Sequence, residues 1–485
     1  MSDRPNILLI MSDQHSAHYL GVDRPGLHTP ALDALAGEGT TFDAAYTPCP
    51  LCVPARMAFM SARRPHEIDV LENSFSLNAF VPTFAHSTAA AGYETWLIGR
   101  MHFTGPDQWH GFERHLVGDA TPPFVGQSMD LGPFIYNAGT QVEALHNSGA
   151  GSTGLECFDD AVTAATVKAL DDWQRRRSRQ ASTRPFLYVV GFYRPHSPYR
   201  APRELFDLYD GRVTLPERGA LESEPDYARR YHRTCRLDEA READQRRALT
   251  AYHALVTATD RRVGRILEAL DAIGQRDRTL VVYTSDHGDH AGEHHLWWKQ
   301  SFYEGSARVP LIVRGPAVAA GQRAACPVDL LDLTATLLDV TGAEGLPMGR
   351  GRSLRPPLAG AEGWTDRPVL SELAPSSVCV ASRMVRDGRW KYIHYHDHGI
   401  GDELYDLDAD PGERDNRASD PTCTAVCRRL RDVVFSDGWD PDRISRRIDE
   451  NRQQIAVVGR WTKAVRAEVL DHFLMHVCPD ANRPE

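Results

Sequence analysis

Short apolar runs alternate along this chain of 485 residues with longer segments that have helical periodicity. The apolar runs cover residues 6–11, 93–99, 184–195, 279–285 and 309–315. They are apolar without alternation, which predicts strands buried on both faces of a parallel sheet. Helical spacing covers residues 29–39, 158–174, 245–274 and 330–342. Strands that alternate with helices in this way predict an α/β fold.

The pattern changes after residues 345–360, which are rich in glycine, proline and arginine and indicate a boundary. Residues 379–396 and 402–416 then predict strands and turns, with a hairpin at "DGRW". Helical spacing returns from about residue 451. We therefore predict a large α/β domain over residues 1–365, a smaller α+β domain over 366–450 and a helical tail over 451–485.

Composition narrows the class of protein. Hydrophobic residues at 42% and charged residues at 25% are typical of a globular enzyme. The net charge of −11 argues against nucleic acid or an anionic membrane as partner. The first apolar run lacks a basic region before it and a cleavage site after it, so we expect a strand and not a signal peptide, and a cytoplasmic protein. The cysteines, nine in number, do not suggest a disulfide framework.

Polar side chains follow four of the predicted strands and turns at their carboxyl ends. They are Asp13, His102, His196 and Asp286. Ligands of open α/β sheets bind outside the carboxyl ends of the strands, so we expect these side chains to share one site.

Asp13-Gln14 and Asp286-His287 together predict a metal site. Carboxylate and amide oxygens suit a hard divalent cation. The imidazole of His287 widens the choice toward Mn²⁺ or Zn²⁺. The alternative is that the two aspartates only cap the turn or helix after each strand.

The stretch "CPLCVPAR" at residues 49–56 allows several interpretations. Pro54 fits a first helical turn, which places Cys52 at a helix N-terminus where negative charge is favoured. Cys52 could be a thiol of lowered pKa, or a buried core cysteine. A thiol–disulfide oxidoreductase built on Cys49 and Cys52 is a third interpretation, but no thioredoxin-like βαβ context surrounds the pair.

Five blocks of the chain carry a family resemblance. "CVPAR" resembles the C-x-P-x-R signature of sulfatases, in which the cysteine is oxidised after translation to formylglycine. "PNILLIMSDQH" resembles the metal-binding opening of that family. "GRMHFTGPDQWHGFE" and "SDHGDHAGEHHLWWKQSFYEGSARVPLIVRGP" are similar to bacterial choline sulfatases. "MVRDGRWKYI" and "ELYDLDADPGERDN" resemble the C-terminal domain of the family. The likeness covers about residues 4–420.

The resemblance implies an alkaline-phosphatase-like, mostly parallel sheet flanked by helices, with a smaller α+β C-terminal domain. It also implies one divalent ion, Ca²⁺ or Mn²⁺, whose ligands would be Asp13, Gln14, Asp286, His287 and the formylglycine made from Cys52. Arg56 would hold the formylglycine. The groups around the sulfate and the leaving-group oxygen would be Arg100, His102, His196 and Lys299. The implied partners are a formylglycine-generating enzyme, a small anionic ester and further copies of the chain in a homo-oligomer.

The implied chemistry explains why a cysteine must be modified. A hydrated aldehyde has two hydroxyls on one carbon, one of which attacks sulfur. The other, deprotonated by a base such as His102, then expels sulfate. His196 or Lys299 would protonate the departing alcohol.

Two departures from the usual family pattern matter. The family usually has lysine where this chain has Arg100, and arginine cannot act as an acid, so we expect Arg100 to bind sulfate. Gln14 and His287 match the branch of choline sulfatases and phosphonate monoester hydrolases. The leading hypothesis is therefore a hydrolase of a small sulfate monoester, such as choline sulfate or an aryl or alkyl sulfate. The alternative is a phosphonate monoester hydrolase or phosphodiesterase that uses the same aldehyde, and a catalytically silent binding protein is less compatible with the full set of polar residues.

Substrate recognition is the least constrained prediction. Trp109, Trp297 and Trp298 would suit an aromatic wall around a quaternary ammonium group, although such residues more often pack in loops and cores. We also expect Asn73 to face the pocket.

Overall fold

The computed structural model of the chain describes residues 4–121, 141–180, 184–361, 364–397 and 399–465. The strands are β1 Asn6–Asp13, β2 Thr40–Phe42, β3 Ala45–Tyr46, β4 Glu94–Gly99, β5 Arg114–Leu116, β6 Gly149–Ala150, β7 Phe186–Pro195, β8 Arg200–Ala201, β9 Thr279–Ser285, β10 Leu311–Arg314, β11 Gln322–Ala324, β12 Val328–Asp329, β13 Val369–Leu373, β14 Ser382–Asp387, β15 Trp390–Tyr395 and β16 Glu403–Asp406. The α-helices are α1 Pro30–Gly37, α2 Cys52–Ser61, α3 Pro65–Ile68, α4 Phe84–Ala90, α5 Glu143–His146, α6 Gly154–Ser178, α7 Arg203–Asp207, α8 Asp226–Thr234, α9 Glu242–Ala272, α10 Glu304–Ala307, α11 Leu330–Thr341, α12 Arg355–Leu358, α13 Thr424–Val434 and α14 Pro441–Val465.

The main sheet has the strand order β11-β2-β10-β9-β1-β7-β4-β5. β1 lies at its centre and pairs in parallel with β7 and β9, so that Leu9 is opposite Val189 on one side and Val282 on the other. β4 continues the parallel part beyond β7. The predicted α/β fold with a mostly parallel, buried central sheet is therefore confirmed.

β10 departs from the parallel arrangement, because it runs antiparallel to β9. The sequence predicted residues 309–315 as another strand of the parallel sheet, and this is wrong in direction. The chain that leaves β9 does not cross back over the sheet. It stays at the carboxyl end of β9, where residues 286–310 form loops and the one-turn helix α10. The next strand therefore starts at that edge and runs back.

Both faces of the main sheet are covered by helices. Leu8 and Ile10 of β1 pack in one apolar cluster with α6 and α9, whereas Ile7 and Leu9 face a second cluster that includes residues of α2, α4 and α11. Successive side chains of a strand point to opposite faces, so a strand that is apolar throughout needs both layers. In the part of the chain that the structure describes, no helix has the length and apolar character needed to cross a membrane.

A second sheet follows in the C-terminal part, with the antiparallel order β13-β14-β15-β16. β14 and β15 form the predicted hairpin, in which Asp387 pairs with Trp390. Gly388 in the turn has φ of +56°, a conformation that glycine adopts without strain. The domain boundaries at residues 365 and 450 stay predictions.

The C-terminal helix starts earlier than the sequence predicted. We expected it from about residue 451, but α14 begins at Pro441. The carboxylate of Asp440 accepts a hydrogen bond from the backbone N–H of Arg443 (2.9 Å), as an N-cap does before a first-turn proline. Ile444 and Ile448, four residues apart, are buried on one face of this early part. The second half of the expected tail lies outside the described residues.

A buried ion cluster joins the second sheet to the segment that follows β9. Lys391 of β15 donates a hydrogen bond to the backbone oxygen of Phe302 (2.9 Å) and pairs with Glu304 (2.5 Å) and Glu413 (2.7 Å). All three charged side chains are buried. The segment that carries Lys299 is therefore anchored to the second sheet.

We predict that Lys391→Met destabilises the protein by about 3–5 kcal/mol, because it leaves the buried carboxylate of Glu413 without its cation and that of Glu304 with Arg308 alone. Urea unfolding followed by tryptophan fluorescence measures this change. Lys168→Met is the matched control, since Lys168 is exposed and forms its ion pair with the exposed Asp172, four residues further along the same helix. Equal unfolding curves for the two variants would contradict the prediction.

Candidate active site

The carboxyl ends of β1 and β9 bring two carboxylates together. Ser12 pairs with Ser285 in the parallel register, so Asp13 and Asp286 follow at the same edge of the sheet. The metal-binding atoms of Asp13, Cys52, Asp286 and His287 all lie within 4.8 Å of one another, and these side chains are buried. Three segments far apart in the chain, which contribute Asp13, Cys52 and the pair Asp286-His287, therefore meet at one point.

Cys52 begins helix α2 and is surrounded by polar atoms. Its Sγ lies 3.2 Å from Nε2 of His287 and 3.2 Å from Nζ of Lys299. Oδ1 of Asn73 accepts a hydrogen bond from the backbone N–H of Val53 (2.9 Å), so Asn73 satisfies a free donor of the first helical turn. This contact places Asn73 next to Cys52, although its role toward a substrate stays a prediction.

Arg56 bridges the two carboxylates. Its Nε donates to Asp286 (2.8 Å) and its Nη2 donates to Asp13 (3.2 Å), with all three side chains fully buried. Burial alone would lower the pKa of Arg56, but the two aspartates raise it above its ordinary value. Arg56 therefore neutralises the centre of the site and holds both aspartates in place.

All three nitrogens of the Arg100 guanidinium form hydrogen bonds with other protein groups. Its Nε donates to Asp13 (2.7 Å), its Nη1 to Asp119 (2.7 Å) and Thr121 (2.9 Å), and its Nη2 to Nδ1 of His102 (2.7 Å). The guanidinium also lies 4.5 Å from the ring centre of Tyr193. Sequence reasoning missed Asp119, Thr121 and Tyr193, since no motif connects them to Arg100. The contacts of Arg100 orient His102 and Asp13. Its expected role in binding sulfate stays a prediction.

Lys299 and His196 form a hydrogen-bonded pair. Nζ of Lys299 lies 2.8 Å from Nε2 of His196 and also donates to Oε1 of Gln14 (2.9 Å). Nδ1 of His196 lies 2.6 Å from the backbone oxygen of Ser197, which can only accept. The proton of the neutral His196 ring is therefore on Nδ1, and Nε2 presents a lone pair to Lys299.

Asp289 is a further member of the site that the sequence did not single out. Its Oδ2 accepts hydrogen bonds from Nε2 of Gln14 (2.7 Å) and from the hydroxyl of Tyr199 (2.6 Å). The sequence feature that could have identified Asp289 is its position three residues after Asp286 in the same polar loop.

The charges of the site set the protonation of its ligands. Burial raises the pKa of Asp13, but the opposing charges outweigh burial and hold that pKa well below its usual value; the permanent charges among them belong to Arg100, Arg56 and Lys299. Burial lowers the pKa of His287, and the charge of Lys299 lowers it further. Nδ1 of His287 lies 3.0 Å from the backbone oxygen of Gly288, so Nε2 carries the lone pair that faces Cys52. The residues present thus fit a divalent metal: two carboxylates, an amide oxygen and a neutral imidazole.

The tryptophans divide into two groups. Trp297 and Trp298 are buried in an apolar cluster, which agrees with the alternative that these residues pack in the core. Trp297 contacts Tyr199 edge-on, with 5.5 Å between the ring centres. Trp109 is 51% exposed in the loop after β4. Of the three tryptophans, Trp109 alone presents a large exposed surface, and its contact with a substrate stays a prediction.

Cys49 does not support the oxidoreductase interpretation. Cys49 and Cys52 are both free thiols. Burial raises the pKa of Cys49 well above its usual value, which makes it a poor nucleophile and a poor partner for disulfide exchange.

Comparison with known proteins decides the family. The sulfatase family model matches residues 5–343. The chain is also 35% identical over 476 residues to the choline-sulfatase of Rhizobium meliloti (strain 1021), covering 94% of this chain and 91% of that protein. The chain belongs to the sulfatase family. This sulfatase is therefore a hydrolase of sulfuric esters.

Other relatives agree with this assignment. A second family model, N-sulphoglucosamine sulphohydrolase, C-terminal, matches residues 292–436. Arylsulfatase K of Xenopus laevis is 27% identical, covering 96% of this chain and 87% of its own. The solved phosphonate monoester hydrolase of Agrobacterium radiobacter has a TM-score of 0.71 at 23% identity, with 89% of this chain and 95% of that one covered, which shows the shared fold. Sulfatases generally use a formylglycine and a divalent metal, and the cluster around Cys52 has the groups for both.

We predict that Arg100→Lys impairs this sulfatase even though lysine is the usual family residue. A single ammonium group cannot maintain the contacts with Asp13, Asp119 and His102 at once. The expected loss in kcat/KM on 4-nitrophenyl sulfate is about 10- to 100-fold, since a hydrogen bond to a charged group contributes about 1.5–3 kcal/mol. Arg114→Lys, at an exposed arginine that lies over Trp96, is the matched control. Wild-type kinetics in Arg100→Lys would show that these contacts are dispensable.

Proposed function

We propose that this sulfatase hydrolyses a small sulfate monoester through a formylglycine formed from Cys52 and one divalent metal ion. The proposed metal ligands are Asp13, Gln14, Asp286, His287 and the converted residue 52. The convergence of Asp13, Cys52, Asp286 and His287 within 4.8 Å supports this proposal most directly. The sulfur of Cys52 marks the place at which the converted side chain would carry its oxygen atoms.

The donor set favours Mn²⁺ over Ca²⁺, because an imidazole is a better ligand for Mn²⁺ than for a cation that prefers oxygen only. When bound, the metal would acidify the nucleophilic hydroxyl and polarise the sulfate. Arg56 would keep Asp13 and Asp286 at a fixed separation for this purpose, since it contacts both.

Lys299, and not His196, is the group that we propose to protonate the departing alcohol. Burial lowers the pKa of His196 well below its usual value, and the charge of Lys299 lowers it further. Nε2 of His196 therefore has no proton to give, whereas Nζ of Lys299 carries hydrogens and lies 3.2 Å from Sγ of Cys52. His196 would hold Lys299 in position through the bond to its Nε2.

His102 is better suited to donate a hydrogen bond than to act as the base that we expected from the sequence. Its Nδ1 accepts from Arg100, so the hydrogen of the neutral ring is on Nε2. Burial and the charge of Arg100 lower the pKa of His102. A hydrogen bond with Cys52 raises it, but the pKa stays below its usual value. Nε2–H would then bind an oxygen of residue 52 or of the sulfate.

A phosphonate monoester hydrolase or phosphodiesterase that uses the same residues is the second candidate function. Gln14 and His287 are the metal-site residues of that branch, and sulfur and phosphorus esters share a tetrahedral centre. Choline sulfate is one proposed substrate, because the R. meliloti relative is named a choline-sulfatase and Trp109 offers an exposed ring. Maturation by a formylglycine-generating enzyme, a homo-oligomeric state and a cytoplasmic location also stay predictions.

We expect mass spectrometry to find an aldehyde at position 52 when the protein is produced together with a formylglycine-generating enzyme. The matured protein should then cleave aryl sulfates with a higher kcat/KM than aryl phosphonate esters of the same leaving group. Cys52→Ala, produced in the same way, is the control and should have neither the aldehyde nor the activity. A matured protein that prefers the phosphonate esters would establish the second candidate, and one inactive on both would contradict the proposal.

We predict that Lys299→Met affects esters according to their leaving groups. General acid catalysis contributes about 100- to 10,000-fold, and esters of alkyl alcohols need it most because an alkoxide leaves poorly. The loss in kcat should therefore be far larger on choline sulfate, or on another alkyl sulfate that the enzyme accepts, than on 4-nitrophenyl sulfate. His196→Asn is the comparison variant: it removes the partner that positions Lys299 and keeps the ammonium group, so it should show the same preference for aryl esters with a smaller loss on alkyl esters than Lys299→Met. A loss of equal size on both ester classes in Lys299→Met would remove the proposed acid.

A further inference from the structure

The side-chain amide of Gln14 is held between a carboxylate and an ammonium group. Its Nε2 donates to Oδ2 of Asp289 (2.7 Å), and its Oε1 accepts from Nζ of Lys299 (2.9 Å). Its backbone oxygen also accepts from the hydroxyl of Tyr252 (2.9 Å). Gln14 and Asp289 are both fully buried, so water does not compete for these contacts.

This arrangement permits one orientation of the amide. A carboxylate can only accept hydrogen bonds and an ammonium group can only donate them. Rotation of the amide by half a turn would set Nε2 against Lys299 and Oε1 against Asp289, and both contacts would become repulsive. Asp289 therefore directs the amide oxygen of Gln14 to the side of Lys299 and Cys52.

The two oxygens of Asp289 have different tasks. Oδ1 accepts from the backbone N–H groups of Ala291 (3.2 Å) and Trp298 (2.9 Å), which fixes the loop. Oδ2 accepts from the side chains of Gln14 and Tyr199. A structural role belongs to Oδ1, whereas the orientation of Gln14 depends on Oδ2.

We propose that Asp289 is a positioning residue of the metal site, which holds the amide oxygen of Gln14 toward the ion and places a negative charge directly behind that neutral ligand. The inference rests on the proposed function. Gln14 is a neutral ligand, and Asp289 supplies a negative charge to it through a hydrogen bond, since an acceptor at the amide nitrogen polarises the amide oxygen.

Asp289→Asn separates the two tasks. The backbone donors of Ala291 and Trp298 cannot turn away, so the new side chain keeps its oxygen on their side and its amino group on the side of Gln14. The amide of Gln14 then turns over to accept from that amino group, and its nitrogen faces the metal side. We expect the affinity for Mn²⁺ to fall about 10- to 100-fold, the usual cost of losing a residue that orients a ligand.

A second substitution should restore the site. A carboxylate at position 14 has an oxygen on both sides, so Gln14→Glu in the Asp289→Asn background accepts from the new amino group and still presents an oxygen to the ion. Gln14→Glu alone sets two carboxylates against each other, and we expect it to bind Mn²⁺ no tighter than wild type. The double variant should bind more tightly than either single variant, which is a positive coupling in a double-mutant cycle.

The test is calorimetric titration with Mn²⁺ and, separately, with Ca²⁺, on full-length protein whose Cys52 is unconverted. Binding is then measured without any dependence on activity. Tyr199→Phe is the matched control, because it removes the other hydrogen bond to Oδ2 and leaves the acceptor for Gln14 in place. We expect its affinity to stay within a few-fold of wild type. Near-ultraviolet circular dichroism without metal checks that each variant is folded.

The outcomes separate the inference from the proposed function. Wild-type protein that binds neither ion would overturn the proposed metal site, and the inference with it. Wild-type affinity in Asp289→Asn, or a loss that the double variant does not recover, would overturn the inference alone. If Asp289→Asn does not fold, Gln14→Glu still decides, because tighter binding in that variant would show that Asp289 does not supply the charge behind position 14.

Discussion

Two buried carboxylates side by side are the constraint on which the site depends. Asp13 and Asp286 end adjacent parallel strands at the centre of the sheet, so the fold brings their charges together where no water reaches them. Charges in such surroundings need a partner in direct contact. Arg56 meets this need for both at once, and its own place is set by helix α2, which Cys52 begins. The five-residue signature that begins at Cys52 therefore also contains the residue that neutralises the two carboxylates beside Cys52.

The segment that carries Lys299 is as firmly held as the segment that carries Cys52. The backbone N–H of Gln300 donates to the backbone oxygen of Pro50 (3.2 Å), which joins the two segments directly. From the other side, Lys391 of the second sheet binds the backbone oxygen of Phe302. The C-terminal sheet thus supports the site indirectly: it fixes the position of the Lys299 ammonium group beside residue 52.

The sequence predicted the parts of the site that local patterns reveal. Asp13 and Asp286 were visible because apolar runs end directly before them, and Cys52 and Arg56 because they share five residues of a known signature. Asp119 and Asp289 were not visible as members, since their partners are set by the tertiary fold: Gln14 and Asp289 lie 275 positions apart in the chain. The predictions of the direction of β10 and of the start of α14 were wrong for similar reasons. The direction of a strand depends on where the preceding loop runs, and the start of a helix depends on capping residues that a count of apolar spacing ignores.

The balance of charge indicates which esters the site can take. Arg56, Arg100 and Lys299 are its cations, and the aspartates with buried side chains around them are Asp13, Asp119, Asp286 and Asp289. With each group ionised, the carboxylates outnumber the cations by one. The divalent ion that we propose would reverse this to a single positive charge, which one monoanion would neutralise in a place that screens charge poorly. Sulfate monoesters, phosphonate monoesters and phosphodiesters all carry one negative charge, whereas a phosphate monoester carries about two near neutral pH. With the proposed metal bound, the buried charges would disfavour phosphate monoesters more strongly than they separate sulfur from phosphorus, and the choice between those two would fall to the groups that contact the leaving alcohol.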